Sequence, residues 1–261
     1  MMILRLKLAT LKSFQNVFSG FIVSRFLKSL FPEDPPWIEM RAVKPFYIIK
    51  KRKFKLKNKF NAELKPKKER IYILDKNIPA GFIANTEIVL YAQDVKKQWY
   101  KVISNLMGRK DPKMENEIVS IFAKEIKNPV EKTENAKRFH ISFKTPTTFK
   151  IDNDKNFPFP DPTIFFNDLL NMWKTIYMEK PVENIESFEK QVHIVAHRLK
   201  TKEFRNPYTD EQFTCFIGWC IIEAEEKATR IVSKLLSLAK YVNVGWGRHI
   251  GFGVVETQTI T

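Results

Sequence analysis

Leu4, Leu6 and Leu8 alternate with Arg5 and Lys7, the two-residue period of a strand with one buried face. Between residues 16 and 30 the period lengthens. Phe18, Ile22, Phe26 and Leu30 fall four apart with Phe21 and Leu27 beside them, which predicts a helix whose polar face carries Arg25 and Lys28. Pro32, Pro35 and Pro36 end it. The run Lys44-Pro-Phe-Tyr-Ile-Ile-Lys50 predicts a strand, and further apolar runs predict a strand over about 82–91, a helix over about 94–107 and a strand over about 117–127.

The second half repeats this order. Phe139, Ile141 and Phe143 alternate as a strand, and a stretch punctuated by Pro146, Pro158, Pro160 and Pro162 opens a helix bearing Phe165, Leu169, Leu170, Trp173 and Ile176. Strands over about 191–199 and 213–224, a helix over about 226–240 through Ile231, Leu235 and Leu238, and a strand over about 250–258 complete it. Each half reads β-α-β-β-α-β, so the expected fold class is α+β, two tandem ferredoxin-like domains. Asn128-Pro129 and the polar residues 131–137 set the boundary, giving domains 1–130 and 131–261.

The chain of 261 residues is 44% hydrophobic, with 22 Phe, which excludes intrinsic disorder and supplies a core that needs no disulfide or metal staple. Cys215 and Cys220 are too few for a disulfide framework, and their odd spacing in a strand turns them to opposite faces; they read as reduced core residues of a cytoplasmic protein. No uncharged apolar run reaches 18 residues, so no membrane span is expected.

Charge changes the picture more. Lys+Arg minus Asp+Glu is 45 − 29 = +16. Residues 1–70 hold 18 basic and 5 acidic side chains, or +13; the other 191 hold 27 and 24, or +3. Such asymmetry implies a polyanionic partner, nucleic acid or an anionic membrane surface. Residues 50–70 alone carry 11 basic and 2 acidic side chains: Lys50 leads into Lys51, Lys53, Lys55, Lys57 and Lys59, alternating with Arg52, Phe54, Leu56, Asn58 and Phe60. In a strand, one face would be all lysine, suited to a phosphate backbone; the alternative is a solvated hairpin. Arg198, Lys200, Lys202 and Arg205 form a second, weaker patch.

Four of the eight glycines, Gly245, Gly247, Gly251 and Gly253, fall within nine residues around Arg248 and His249. Glycine there permits positive φ and a close approach of phosphate to main-chain N–H groups; the alternative is a tight helix-to-strand turn. It is not a Walker loop, because no Gly-Lys-Ser/Thr follows. His193 and His197 stand four apart in a strand with no further ligands at metal spacing, so no metal and no cofactor are expected.

The stretch from Tyr241 to Glu256 resembles the glycine-rich loop of the CRISPR-associated endoribonucleases that cut precursor CRISPR RNA within its repeats, members of the repeat-associated (RAMP) superfamily. Phe143-Lys-Thr-Pro-Thr-Thr-Phe149, Phe157-Pro-Phe-Pro-Asp-Pro162 and Phe216-Ile-Gly-Trp219 resemble that family's C-terminal domain in order and spacing, and Lys44-Pro45-Phe46 matches the first half loosely. The resemblance implies paired ferredoxin-like domains and metal-independent cleavage, in which a ribose 2′-hydroxyl attacks its own phosphate. It also implies RNA as partner, with a CRISPR effector complex and a monomer or homodimer as open alternatives. Many members carry a catalytic His between the first helix and the Lys-Pro-Phe strand. Here that stretch reads Trp37-Ile38-Glu39-Met40, and the first His is His140. Some archaeal relatives use clustered Lys and Arg instead, which implies Lys28, Lys51 and Arg248, backed by Arg25 and His249, as catalytic candidates. Lys50, Arg52, Lys53, Lys55, Lys57, Arg198, Lys200 and the four loop glycines are the implied RNA contacts. The residues also admit a non-catalytic RNA-binding protein and, from another class, a membrane-surface protein anchored through residues 1–31.

Overall fold

The computed structural model describes residues 1–31, 41–52, 67–91, 104, 116–126, 136–151, 155–178 and 188–260. The alternating leucines form β1 (Met2–Thr10), with Leu4, Leu6 and Leu8 buried on one face. The four-residue period forms α1 (Ser19–Leu30), preceded by a short β2 (Phe14–Val17). Then come β3 (Arg41–Arg52), β4 (Lys67–Tyr72), β5 (Lys76–Ile78), β6 (Ile83–Leu90) and β7 (Asn116–Glu125). The first sheet has the order β4-β3-β6-β1-β7, with every pairing antiparallel. Without β4 this is the 4-1-3-2 order of a ferredoxin-like unit. The helix expected over 94–107 lies outside the described residues except Ser104, which is helical.

The second sheet contains β8 (Arg138–Thr147), β11 (Val192–Arg205), β12 (Gln212–Ala224) and β13 (Val255–Ile260), ordered β11-β12-β8-β13, again antiparallel and again 4-1-3-2. A small hairpin, β9 (Phe149–Ile151) with β10 (Lys155–Phe157), precedes α2 (Pro162–Tyr177). Asp161 caps α2 by accepting from the Ile164 N–H at 3.1 Å, and Pro162 supplies the preset first φ. A single turn, α3 (Phe188–Gln191), precedes β11, and α4 (Glu226–Val242) follows β12. Phe165, Leu169, Ile231, Leu235 and Leu238 from α2 and α4 pack on Phe139, Ile141 and Phe143.

Strands of the first sheet all come from residues 2–125 and those of the second from 138–260. The halves join through Phe18, Phe21, Phe204, Phe213, Cys215, Ile250 and Phe252. Cys220 sits instead in the second core, so the two cysteines do face opposite ways, and burial pushes both thiols up to about 12. Among the described residues, no helix is long and apolar enough to cross a membrane.

Candidate nucleic-acid interface

The glycine loop leaves α4 at Asn243, makes a single 3₁₀ turn over Arg248–Ile250 and enters β13. All four of its glycines are buried and have positive φ. At Gly253 an added Cβ would lie 1.8 Å from the Val244 carbonyl oxygen; at Gly251 it would meet the Pro45 ring at 2.8 Å. The loop amides are largely spent within the protein: Gly245 donates to Asp168 at 2.9 Å, Trp246 to Thr148 O at 2.8 Å, Phe252 to Gly247 O at 3.1 Å and Gly253 to Pro146 O at 2.8 Å. The expectation that these glycines open main-chain N–H groups to phosphate gives way to a packing role, because the space above them is filled by protein atoms.

That packing joins the halves. Gly251 lies against Pro45 of β3 and Gly20 of α1, and the Ile250 carbonyl leaves no room for a side chain at Gly20. Pro45 falls where the β3–β6 register shifts between Lys44 and Tyr47, a site that tolerates a residue without an N–H. Beside it, buried Lys44 donates to Asn243 Oδ1 and, at 3.1 Å, to the Lys240 carbonyl at the end of α4. Asn243 Nδ2 donates at 2.9 Å to both Val43 O and Phe252 O. Burial lowers the Lys44 ammonium to about 7, with Arg70 acting in the same direction and Glu87 opposing.

Arg248 is directed inward as well. Its guanidinium pairs with Asp168 of α2, and its buried Nε has no protein acceptor among the described residues. Arg25 and Lys28 are exposed on α1, as expected, with Arg25 stacked 4.2 Å over the Tyr208 ring. His249 lies beside the Trp246 ring. Lys50 is exposed on β3 opposite Glu69; Lys51 and Arg52 are placed in that strand, and Lys53, Lys55 and Lys57 fall outside the described residues. Arg198 and Lys200 are exposed on β11, the edge strand of the second sheet. His193 and His197, with Phe159, Asp161 and Glu189, line an open pocket of about 390 Å³, and no three His, Cys, Asp or Glu side chains among the described residues are grouped as metal ligands.

Of the catalytic candidates, Lys28 and Lys51 stand far apart along the first lobe. Ser19 Oγ accepts from the Phe46 N–H at 3.1 Å, fixing α1 and β3 at one common level, while Arg41 reaches Ser24 further along α1, so helix and strand run in opposite directions. Lys28 is nine residues from Ser19, about 13 Å along the helix. Lys51 is five residues beyond Phe46 the other way, about 16 Å along the strand. Nearly 30 Å thus separates their backbones along that common direction, on the order of the two distances combined.

The face of the first sheet opposite α1 carries a site that sequence patterning missed. Glu87, only 5% exposed at its side chain, accepts from Arg5 Nε at 2.7 Å and from both Arg70 amino groups at 2.8 and 2.9 Å. Arg70 also lies 4.9 Å over the Tyr47 ring. Burial raises Tyr47 and Tyr72 to about 12, so both stay protonated. Arg5 and Arg70 remain 48% and 35% exposed, two guanidiniums held in fixed orientation by one buried carboxylate.

A profile of the CRISPR-associated endoribonuclease Cas6 family matches residues 141–255, from β8 through the glycine loop to the start of β13. Over that stretch the chain is similar to the Cas6 family. Solved structures extend the likeness in fold to nearly the whole chain. A Cas6 product complex has a TM-score of 0.66 at 14% identity, covering 99% of this chain and 100% of that one. Thermus thermophilus Cas6 gives 0.62 at 14%, covering 98% of each. A Cas6-related protein from Pyrococcus furiosus gives 0.54 at 12%, with 98% of each covered. No curated protein matches the sequence.

The Cas6 match contains Asp168, Asn243 and Arg248, the residues that anchor the loop. Lys44, outside it, binds the same anchor from the first half. The contacts between Lys44 and Asn243 and between Asp168 and Arg248 span 199 and 80 residues, and neither lies within a motif that spacing alone could reveal. Residues 37–40 lie outside the described residues.

Proposed function

We propose that the protein is a metal-independent endoribonuclease of two lobes, divided near residue 130, that cuts precursor CRISPR RNA within its repeats. A ribose 2′-hydroxyl attacks the adjacent phosphorus and loses its proton, the bond to the 5′-oxygen breaks, and that oxygen takes up a proton. The ends are a 2′,3′-cyclic phosphate and a 5′-hydroxyl. The observation that carries this reading is the loop of the matched Cas6 segment seated on α1 and β3. Lys28, with Arg25 beside it, holds the scissile phosphate and protonates the leaving oxygen, work worth roughly 10²–10⁴-fold in rate. Lys50, Lys51, Arg52, Lys53, Lys55, Lys57, Arg198 and Lys200 track other phosphates of the strand. Arg248 keeps the loop in place, and His249 stands beside Trp246 at its rim.

One observation favours a second reading, a non-catalytic RNA-binding RAMP protein or effector-complex subunit. Lys44 and Arg248, two cations at the loop, are engaged by protein acceptors, and no His precedes residue 140. Incubation with repeat RNA in EDTA separates the two. Cyclic-phosphate and 5′-hydroxyl ends are expected. RNA left intact by stoichiometric protein that binds it in a salt-sensitive manner assigns the second reading.

A further inference from the structure

The second sheet has one face under α2 and α4, and on its other face no helix of the described residues packs. The upper end of that face is closed: Phe204, Phe213 and Cys215 meet Phe18, Phe21 and Phe252. Among the described residues, its lower end is not. There, on the two central strands, β8 places His140 opposite Ile221 and Ser142 opposite Trp219 of β12. His140 and Trp219 are diagonal neighbours, ring centroids 5.5 Å apart and planes inclined by 32°, both half-buried. Phe139, Ile141 and Phe143 point the other way into the core. On β11, Arg198 lies directly opposite Trp219 and Lys200 opposite Ile217, both exposed; Lys202, next in that row, is engaged by Asp75.

We infer that His140 and Trp219 form a stacking platform for the bases of an unpaired stretch of RNA, with Arg198 and Lys200 holding its phosphates. This rests on the RNA-binding reading above and adds where, and in what form, the strand is held. Unpaired bases expose π-faces that a duplex hides, and a flat sheet with aromatics on its middle strands suits them better than it suits a closed helix. A neighbouring strand lies about 5 Å away, so Arg198 can reach a phosphate flanking a base stacked on Trp219. Burial and Lys144 lower the His140 pKa, which favours the uncharged ring.

The test is binding of a short single-stranded repeat-derived oligoribonucleotide, and of a blunt duplex, by the full chain. Trp219→Ala is expected to weaken single-strand binding about ten-fold or more while Trp219→Phe stays close to wild type. Neither changes the salt dependence, whereas Arg198→Ala lowers its slope by about one. Wild-type affinity in a folded Trp219→Ala variant overturns the platform and leaves the RNA-binding reading standing; failure of the wild type to bind any RNA overturns both. Should Trp219→Ala not fold, photocrosslinking of a 5-iodouridine strand to the wild type decides. Adducts on His140 or Trp219 support the platform, and adducts confined to other residues overturn it.

Discussion

Lys44 and Asn243 meet from opposite halves of the chain, and through them β3, the end of α4 and the glycine loop share one buried set of hydrogen bonds. Asn243 bonds two carbonyls and the Lys44 ammonium. Replacing it with Ala removes all three bonds and leaves Lys44 only the Lys240 carbonyl, at about 1–3 kcal/mol for each buried group that loses its partner, before relaxation. Asn243→Ala is expected to lower stability by about 3 kcal/mol in all, seen as a melting temperature roughly 6–12 °C lower in calorimetry. A shift under 2 °C would show that the halves are held elsewhere.

The same lysine makes stability depend on pH. Its pKa is about 7 when folded, against 10.5 as the ordinary value. Between those limits the unfolded chain binds the extra proton, so stability rises with pH across the window, by at most about 1.4 kcal/mol per unit. Below pH 7 both states are protonated and the dependence vanishes. Lys44→Met removes this rise, and the difference between wild-type and variant urea midpoints, followed from pH 7 to 10, checks it.

Much of the fold could be read from the chain because its strands and helices keep strict periods: Leu4-Leu6-Leu8 and Ile231-Leu235-Leu238 each mark one buried face. β4 could not. Its sequence, Lys67-Lys-Glu-Arg-Ile-Tyr72, has no apolar alternation, and it is a strand because β3 pairs with it, Tyr47 opposite Tyr72. The glycine loop was legible as a turn between helix and strand. What fills the space over its glycines was not, because Pro45, Gly20 and Asp168 arrive from distant parts of the chain. The basic residues were legible as a population, and only the opposed directions of α1 and β3 part Lys28 from Lys51.

Gly253 and Gly81 have nearly the same positive φ, 71° and 77°, in different surroundings: a Cβ at Gly253 meets the Val244 backbone at 1.8 Å, while at Gly81 nothing lies within 4 Å. Gly81→Ala should therefore cost only the left-handed backbone penalty, about 1–2 kcal/mol. Gly253→Ala must also displace backbone, and a total loss at least about 2 kcal/mol beyond that is expected. Equal urea midpoints for the two variants would refute the packing role of the loop glycines.

Arg248 and Asp168 form a partly buried ion pair that also receives the Gly245 amide. Removing either partner strands the other, at about 3–5 kcal/mol, whereas removing both costs less than the sum. A double-mutant cycle with Arg248→Met and Asp168→Leu should yield a coupling of at least about 1 kcal/mol in thermal denaturation. Additive losses would mean the pair contributes nothing to the loop and would return Arg248 to the phosphate.

Lys28 and Lys51 cannot serve the same phosphate across nearly 30 Å, so their variants should fail differently. If Lys28 faces the scissile phosphate, Lys28→Ala slows single-turnover cleavage of bound RNA about 10²-fold or more while affinity changes little. Lys51→Ala instead loses one released counterion, lowering the slope of log Kd against log salt by about 0.9 for a duplex contact or 0.7 for a single strand, with the bound complex cut at the wild-type rate. Single-turnover kinetics at saturating protein, paired with binding at several salt concentrations, read the two effects separately. An unchanged rate for Lys28→Ala, or a slowed one for Lys51→Ala, would move the cut site to the other end of the first lobe.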